Sequence, residues 1–192
     1  AWASLCLTAA KAFMVLTTAR LTIRPFVLED APFSLRLVND PDFLLHIGDR
    51  GVRDLDGAVR YLRDGPLASY ARHGFGLWHV ARTADREPLG MVGLLTREWL
   101  DGIDLGFAFL PEHRGAGYAR EAAGAVLDHA WTLAGVTRVL AIVSPGNEAS
   151  TRLLERLGFT SRGVVRAPGA EQDTLLFEAH RPRVVSAGTI EG

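Results

Sequence analysis

The sequence predicts an α/β (α+β) domain: a single mixed, mostly antiparallel, twisted sheet flanked by helices. Three observations carry that expectation. Three strand-like segments, Phe75 to Arg82, Leu89 to Thr96 and Ile103 to Leu110, follow one another across short turns, as in an antiparallel meander. A long amphipathic helix comes next, with Ala119, Ala122, Ala123, Val126, Leu127, Ala130, Trp131 and Ala134 on one stripe. Behind it stands Val139 to Val143, short and continuously apolar, the pattern of a strand deep in a sheet.

Taken in chain order, Leu21-Thr22-Ile23-Arg24 alternates as a first strand and stops at Pro25. Asp30 is placed to cap a short helix carrying Phe33, Leu35, Leu37 and Val38, which ends near Asn39-Asp40-Pro41. Phe43 to Val52, with its glycines and charges, reads as a structured loop. A second helix is expected from Asp54 to Asp64, with Ala58, Val59, Tyr61 and Leu62 on its apolar side. The three meander strands and the long helix follow, and Gly135 ends that helix. After Val143, Pro145-Gly146 breaks the chain, Asn147 caps another helix and Gly158 closes it. Phe159 to Arg166 and Thr174 to His180 form a terminal hairpin-like pair. Helices between and after runs of strands predict layers on a mixed sheet.

Composition narrows the function. At 192 residues and 48% hydrophobic, the chain suits one well-buried domain, here 14–183. A formal charge of -1, with arginines spread among acids, argues against nucleic acid as a partner. The single cysteine, Cys6, excludes an intramolecular disulfide framework and a cysteine-rich metal site, and the six histidines lack metal-ligand spacing, so no metal is expected. Residues 1–13 are apolar and small but too short for a membrane span, and they lack the basic start of a signal peptide. They read as an upstream extension: a disordered tail, an added helix or a segment foreign to the domain. Residues 184–192 read as a frayed tail. With no transmembrane run, the expected location is the cytoplasm.

The most informative stretch runs from Leu110 to Ala119. A strand stops at Pro111, a loop with Gly115 and Gly117 follows, and a helix begins at once. Such a loop can turn several backbone N–H groups toward one point, and the helix start adds partial positive charge, which suits a pyrophosphate. The same glycines also serve as a tight connection when nothing else is known. Arg120 stands where a Gly-x-Gly-x-x-Gly fingerprint needs its third glycine, and no Gly-Lys-Ser/Thr ending occurs.

Two motifs then combine. Arg114-Gly115-Ala116-Gly117-Tyr118-Ala119 fits the Arg/Gln-x-x-Gly-x-Gly/Ala signature of the GCN5-related N-acetyltransferases (GNAT). Val143-Ser144-Pro145-Gly146-Asn147-Glu148-Ala149-Ser150, followed by Leu153 to Phe159, is similar to that superfamily's second block. The Asn-x-x-Ser helix start, the Gly117-Tyr118-Ala119 wording, Leu21 to Pro25 and Glu29-Asp30-Ala31 resemble the RimJ/RimL-like branch. The resemblance spans Leu21 to His180 and implies the acyl-CoA N-acyltransferase fold.

What the resemblance implies is acetyl transfer from acetyl-CoA to a primary amine, a protein N-terminus or a small molecule, by direct attack. Arg114, Gly115, Ala116, Gly117, Tyr118 and Ala119 would cradle the pyrophosphate. The main chain at Phe109 and Leu110 would pair with the pantetheine arm, and Asn147 would hold that arm. Arg114 is open to two readings, an ion pair to phosphate or a solvated side chain. Cys6 lies outside the domain and is no nucleophile. An attacking amine must shed a proton, so a carboxylate base is required. Asp104 is the candidate, with Glu98 in reserve and His113 read as a surface residue. A tyrosine on the last helix often serves the leaving thiolate in this superfamily; here Leu154 occupies that position, and Ser150 is the substitute. Trp78, Trp99, Tyr61, Tyr70 and Phe43 are the aromatics placed to approach the acceptor, with core as the plainer role. Asp49 either attracts an ammonium or pairs with Arg50. The lost tyrosine supports an alternative, a catalytically inactive acyl-CoA-binding sensor or interaction module. Similar proteins imply a monomer or homodimer, with no membrane partner.

Overall fold

A computed structural model describes residues 15–182; the readings of residues 1–13, of Cys6 and of the tail 184–192 concern parts outside the described residues. The elements are β1 (Leu16–Thr17), β2 (Leu21–Pro25), α1 (Ala31–Val38), α2 (Pro41–His46), α3 (Leu55–Leu62), α4 (Ala68–His73), β3 (Leu77–Arg82), β4 (Pro88–Thr96), β5 (Ile103–Phe109), α5 (Tyr118–Ala130), β6 (Arg138–Val143), α6 (Glu148–Arg156), β7 (Thr160–Val165) and β8 (Thr174–His180). They build one eight-stranded sheet in the order β1-β2-β3-β4-β5-β6-β8-β7. Its neighbours are antiparallel except β5 and β6, which run parallel and pair at the single register Asp104↔Leu140.

Both faces of the sheet's central strands are covered, while β7 at its edge is exposed. On one, Val80, Val92, Leu94, Leu105, Phe109 and Val139 pack against Ala122, Ala123, Val126 and Ala130 of α5, and Leu154 of α6 joins them. The alanines let α5 lie close to the strands. On the other face, Met91 and Leu110 meet Phe26, Leu37, Val38, Phe43, Val52, Ala58 and Leu62 under α1 to α3. Full burial of side chains this size is worth roughly 1.5–3 kcal/mol each.

Three local expectations are corrected. Phe43 to Val52 was expected as a loop, yet its start is helical. The run Asn39-Asp40-Pro41 ends α1 and also begins α2: Pro41 takes the first helical position and the Asp40 carboxylate accepts from the Phe43 N–H at 3.2 Å. The helix expected to stop at Asp64 continues through a π-helical segment, Arg63–Leu67, into α4. Pro66 lacks an N–H and would crowd an ordinary helix, and the wider π turn accommodates it. It ends at Gly74, whose φ of +78° is the left-handed conformation of a C-terminal glycine. Finally, α5 ends at Ala130 rather than at Gly135. Thr132 and Leu133 bond back to the carbonyls of His129 and Ala130, tightening the chain into three-residue turns.

One buried polar group stands out in this core. His79 on β3 is 2% exposed and lies edge-on to the rings of Phe26 and Phe33, at centroid distances of 5.6 and 5.0 Å. Burial pushes its imidazole down to about 4, against the pull of Asp30. Trp78 and Tyr70 also belong to the core, and the Tyr70 hydroxyl donates to the Leu77 carbonyl and accepts from the Phe26 N–H.

Candidate functional site

Past Asp104↔Leu140 the pairing of β5 with β6 is not continued, and a cleft of about 750 Å³ opens there. One wall comes from α2 and α3 through Phe43, His46, Ile47 and Tyr61; the other comes from Val143, Ser144, Asn147, Ser150 and Leu153. The glycine loop closes its far end. Gly115 and Gly117 take φ values of +79° and +83°, a region costly to any residue with a Cβ. No side chain caps α5, unlike α2, α3 and α6, which Asp40, Asp54 and Asn147 cap. The first N–H groups of α5 are therefore orphan donors of a thirteen-residue helix, at Tyr118, Ala119 and Arg120 on the cleft wall. That is the donor set a pyrophosphate requires. Arg120 and Arg156 add positive charge along the same cleft.

Arg114 reaches from the loop to the start of α2. Its Nε donates to the Phe109 carbonyl at 2.8 Å and its Nη2 to Asp40 at 2.6 Å, while Nη1 binds Asp42. The guanidinium ties the loop to α2 while its side chain stays 37% exposed. The same bond occupies the Phe109 carbonyl, and the Leu110 N–H donates to the Leu89 carbonyl on the β4 side. Because main-chain groups alternate along a strand, those of Phe107 and Phe109 face the cleft edge of β5 and those of Leu110 face β4. Of the two residues expected to meet the pantetheine arm, Leu110 turns its main chain to β4, and the cleft edge of β5 presents Phe107 and the Phe109 N–H.

Asp104 lies at the closed end of the cleft, 1% exposed. Arg97 Nε donates to both of its oxygens at 3.0 and 3.2 Å. Burial pushes its carboxyl above the ordinary aspartate value, and Arg97 offsets part of that rise. Glu98 is exposed in the turn after β4 and is not part of the cleft lining; its neighbour Arg97 is. The His113 side chain, expected at the surface, is only 11% exposed, with Nε2 3.8 Å from Glu87. Asn147 uses its side-chain oxygen as the N-cap of α6, accepting from the Ser150 N–H at 3.1 Å, and both residues line the cleft. Leu154 is fully buried. Asp49 pairs with Arg53 at the outer surface, not with Arg50, and hydrogen bonds from Arg53 and Gly51 hold it down to about 2.

Two features escaped the sequence reading. His46 at the end of α2 meets Ser144 after β6, Nδ1 to Oγ at 2.9 Å, spanning the two walls of the cleft. Arg20, before β2, reaches the glycine loop and donates to the Ala116 carbonyl at 3.0 Å. Neither contact has a local signal, since its partners stand 98 and 96 residues apart. Among the described residues no cluster of His, Cys, Asp or Glu is arranged to hold a metal ion, and no helix is long and apolar enough to cross a membrane.

A sheet that opens between two parallel strands toward an uncapped helix start has the build of an acetyltransferase. The family profile described as an acetyltransferase (GNAT) domain matches residues 20–160, and the chain belongs to that family. Among its relatives is the uncharacterised N-acetyltransferase YoaA of Bacillus subtilis (strain 168). It is 26% identical over 176 residues, which cover 89% of this chain and 99% of that protein. The uncharacterised N-acetyltransferase p20 of Bacillus licheniformis is 28% identical over 170 residues, 84% of this chain and 93% of its own. A crystal structure of an acetyltransferase from Agrobacterium tumefaciens str. C58 superposes with a TM-score of 0.75 at 25% identity, covering 91% of this chain and 99% of that one. RimL, a ribosomal L7/L12 α-N-protein acetyltransferase, reaches a TM-score of 0.74 over 92% of this chain and 99% of its own; at 14% identity that likeness shows the fold.

Proposed function

We propose that this enzyme transfers the acetyl group of acetyl-CoA to a primary amine by direct attack, with Asp104 as base and Ser150 beside the departing sulfur. The observation that carries the proposal is the cleft between β5 and β6, which leads from a buried carboxylate to the uncapped start of α5. A GNAT-fold neighbour, the microcin C7 self-immunity acetyltransferase MccE, is described in complex with acetyl-CoA and AMP; it has a TM-score of 0.72 at 14% identity, covering 85% of this chain and 94% of its own. The cleft fits such a donor: N–H groups of the loop for the pyrophosphate, the cleft edge of β5 and the Asn147 amide for the pantetheine, and arginines near the phosphates.

In the reaction the amine nitrogen forms a bond to the thioester carbon and the carbon–sulfur bond breaks. The amine proton goes to the Asp104 carboxylate, whose raised proton affinity suits it for that task better than an ordinary surface aspartate. The leaving thiolate takes a hydrogen bond from the Ser150 hydroxyl. An α-amine, with a pKa of about 7.7–8.0, needs less help than a lysine at about 10.4. Protein N-termini and small-molecule amines are accordingly the acceptors to try, with RimL and a ribosomal-protein-S5-alanine acetyltransferase from Vibrio fischeri among the structural neighbours. The test is thiol release from acetyl-CoA against a panel of N-terminal peptides, lysine peptides, polyamines and aminoglycosides. Acceptor-dependent release is expected. Tight coenzyme A binding with no release for any amine would refute transfer and return the sensor reading that the buried Leu154 supports.

A further inference from the structure

The geometry points to Arg20 as a positioning residue that presets the pyrophosphate loop by holding the Ala116–Gly117 peptide from behind. This rests on the acetyl-CoA reading above and adds to it a residue outside the cleft. Arg20 stands between β1 and β2. Its Nη1 donates to the Ala116 carbonyl at 3.0 Å, and its Nε and Nη2 both bind Glu121 Oε2 at 2.7 Å. Its guanidinium carbon lies 4.5 Å from the centre of the Tyr118 ring. Glu121, one turn into α5, also accepts from Thr18 Oγ1 at 2.6 Å and from the Arg20 N–H at 2.9 Å. A rigid fork of donors thus joins the β1–β2 turn to the loop and to the helix behind it.

The peptide bond gives this contact its consequence. In a trans peptide the carbonyl and the following N–H point to opposite sides of the chain. Drawing the Ala116 carbonyl toward Arg20 turns the Gly117 N–H the other way. Gly117 lines both the cleft and a shallow depression on the opposite side of the loop, whereas Arg20 lines only the depression. The Gly117 N–H is therefore held on the cleft side by a residue that never enters the cleft. Arg20 also neutralises Glu121, a carboxylate that would otherwise face an anion site across one helical turn.

The test compares coenzyme A with pantetheine, the same thiol arm without the pyrophosphate. Affinities are measured by calorimetry for the first and by NMR titration for the second. Arg20→Ala should raise the coenzyme A Kd about tenfold or more, the scale of one charge-assisted hydrogen bond, and leave the pantetheine Kd within twofold. An unchanged coenzyme A Kd overturns the proposal. So does parallel weakening of both ligands, which marks general damage to the fold. Arg20→Lys keeps a cation for Glu121 but not the fork to Ala116, and the same selective loss is expected if the alanine variant folds poorly. Adding Glu121→Gln to Arg20→Ala separates charge from geometry: restored affinity would mean charge alone mattered and would overturn the positioning role. A wild-type protein that binds no coenzyme A would instead refute the donor assignment itself, and the role of Arg20 with it.

Discussion

Replacing Gly117 by valine tests the anion cradle where its backbone tolerates least. Gly117 has a φ of +83° immediately before α5. A side chain there costs about 1–2 kcal/mol of backbone strain, with a β-branched residue at the unfavourable end. Space is not the obstacle: a Cβ would come within 3.4 Å only of Arg20 Nη2, the end of a flexible, 45% exposed side chain. Relief comes from rotating the Ala116–Gly117 peptide, which turns the Gly117 N–H away from the cleft. Losing one hydrogen bond to a charged group costs about 1.5–3 kcal/mol, or about 10- to 150-fold in affinity. Calorimetry with coenzyme A should show that loss, and thermal unfolding should show a protein still folded. Gly124→Ala is the control. It lies on α5, its Cβ would make an ordinary 3.7 Å contact with Leu157, and it should gain up to about 1 kcal/mol of stability with no change in affinity. A folded Gly117→Val protein with a coenzyme A Kd within twofold of wild type would reduce the loop to a connector.

The remaining predictions concern titration. Asp104→Asn keeps an acceptor for Arg97 but removes the base, so kcat should fall about 100-fold or more. The acid limb of the kcat–pH profile, set above 3.8 by burial of the carboxyl, should vanish with it; an unchanged kcat and profile would leave Asp104 only a structural partner of Arg97. His79 makes stability depend on pH. Its folded value of about 4 lies below the ordinary 6.5, so the unfolded chain binds more protons between these values. Its contribution is fully present above 6.5 and is lost as pH falls toward 4, by about 3 kcal/mol at full extent. Urea titrations across this window should show the loss in wild type and a flatter profile in His79→Leu; equal slopes would refute the assignment.

Much of the molecule was legible in the chain because it depends on neighbours three or four residues apart. The α5 stripe as far as Ala130, the apolar Val139 to Val143 strand, the Asn147 cap and the glycines at 115 and 117 each follow from a local rule, and each stands where the pattern put it. Local rules also misled where one residue served two elements. Asp40 and Pro41 terminate α1, as read, but the same types start a helix equally well, and only the packing of Phe43 under the sheet selects α2. The continuation past Asp64 through Pro66 lies outside the local rules because a π turn has no sequence mark of its own.

The sequence by itself determined that a strand, a two-glycine loop and a helix stand in line, with a capped helix further on, and from that the family and a candidate cradle for a phosphate. The tertiary structure alone decided how the site is finished. It paired Arg114 with Asp40 and Asp42, set Arg20 and Glu121 behind the loop, joined His46 to Ser144 across the cleft, and buried Asp104 against Arg97 where β5 and β6 part. All but the last of these pairs join residues more than 70 positions apart. Their partners are chosen by sheet order and helix packing, since an arginine meets whichever carboxylate the folded backbone brings to it, and no spacing in the chain encodes that meeting.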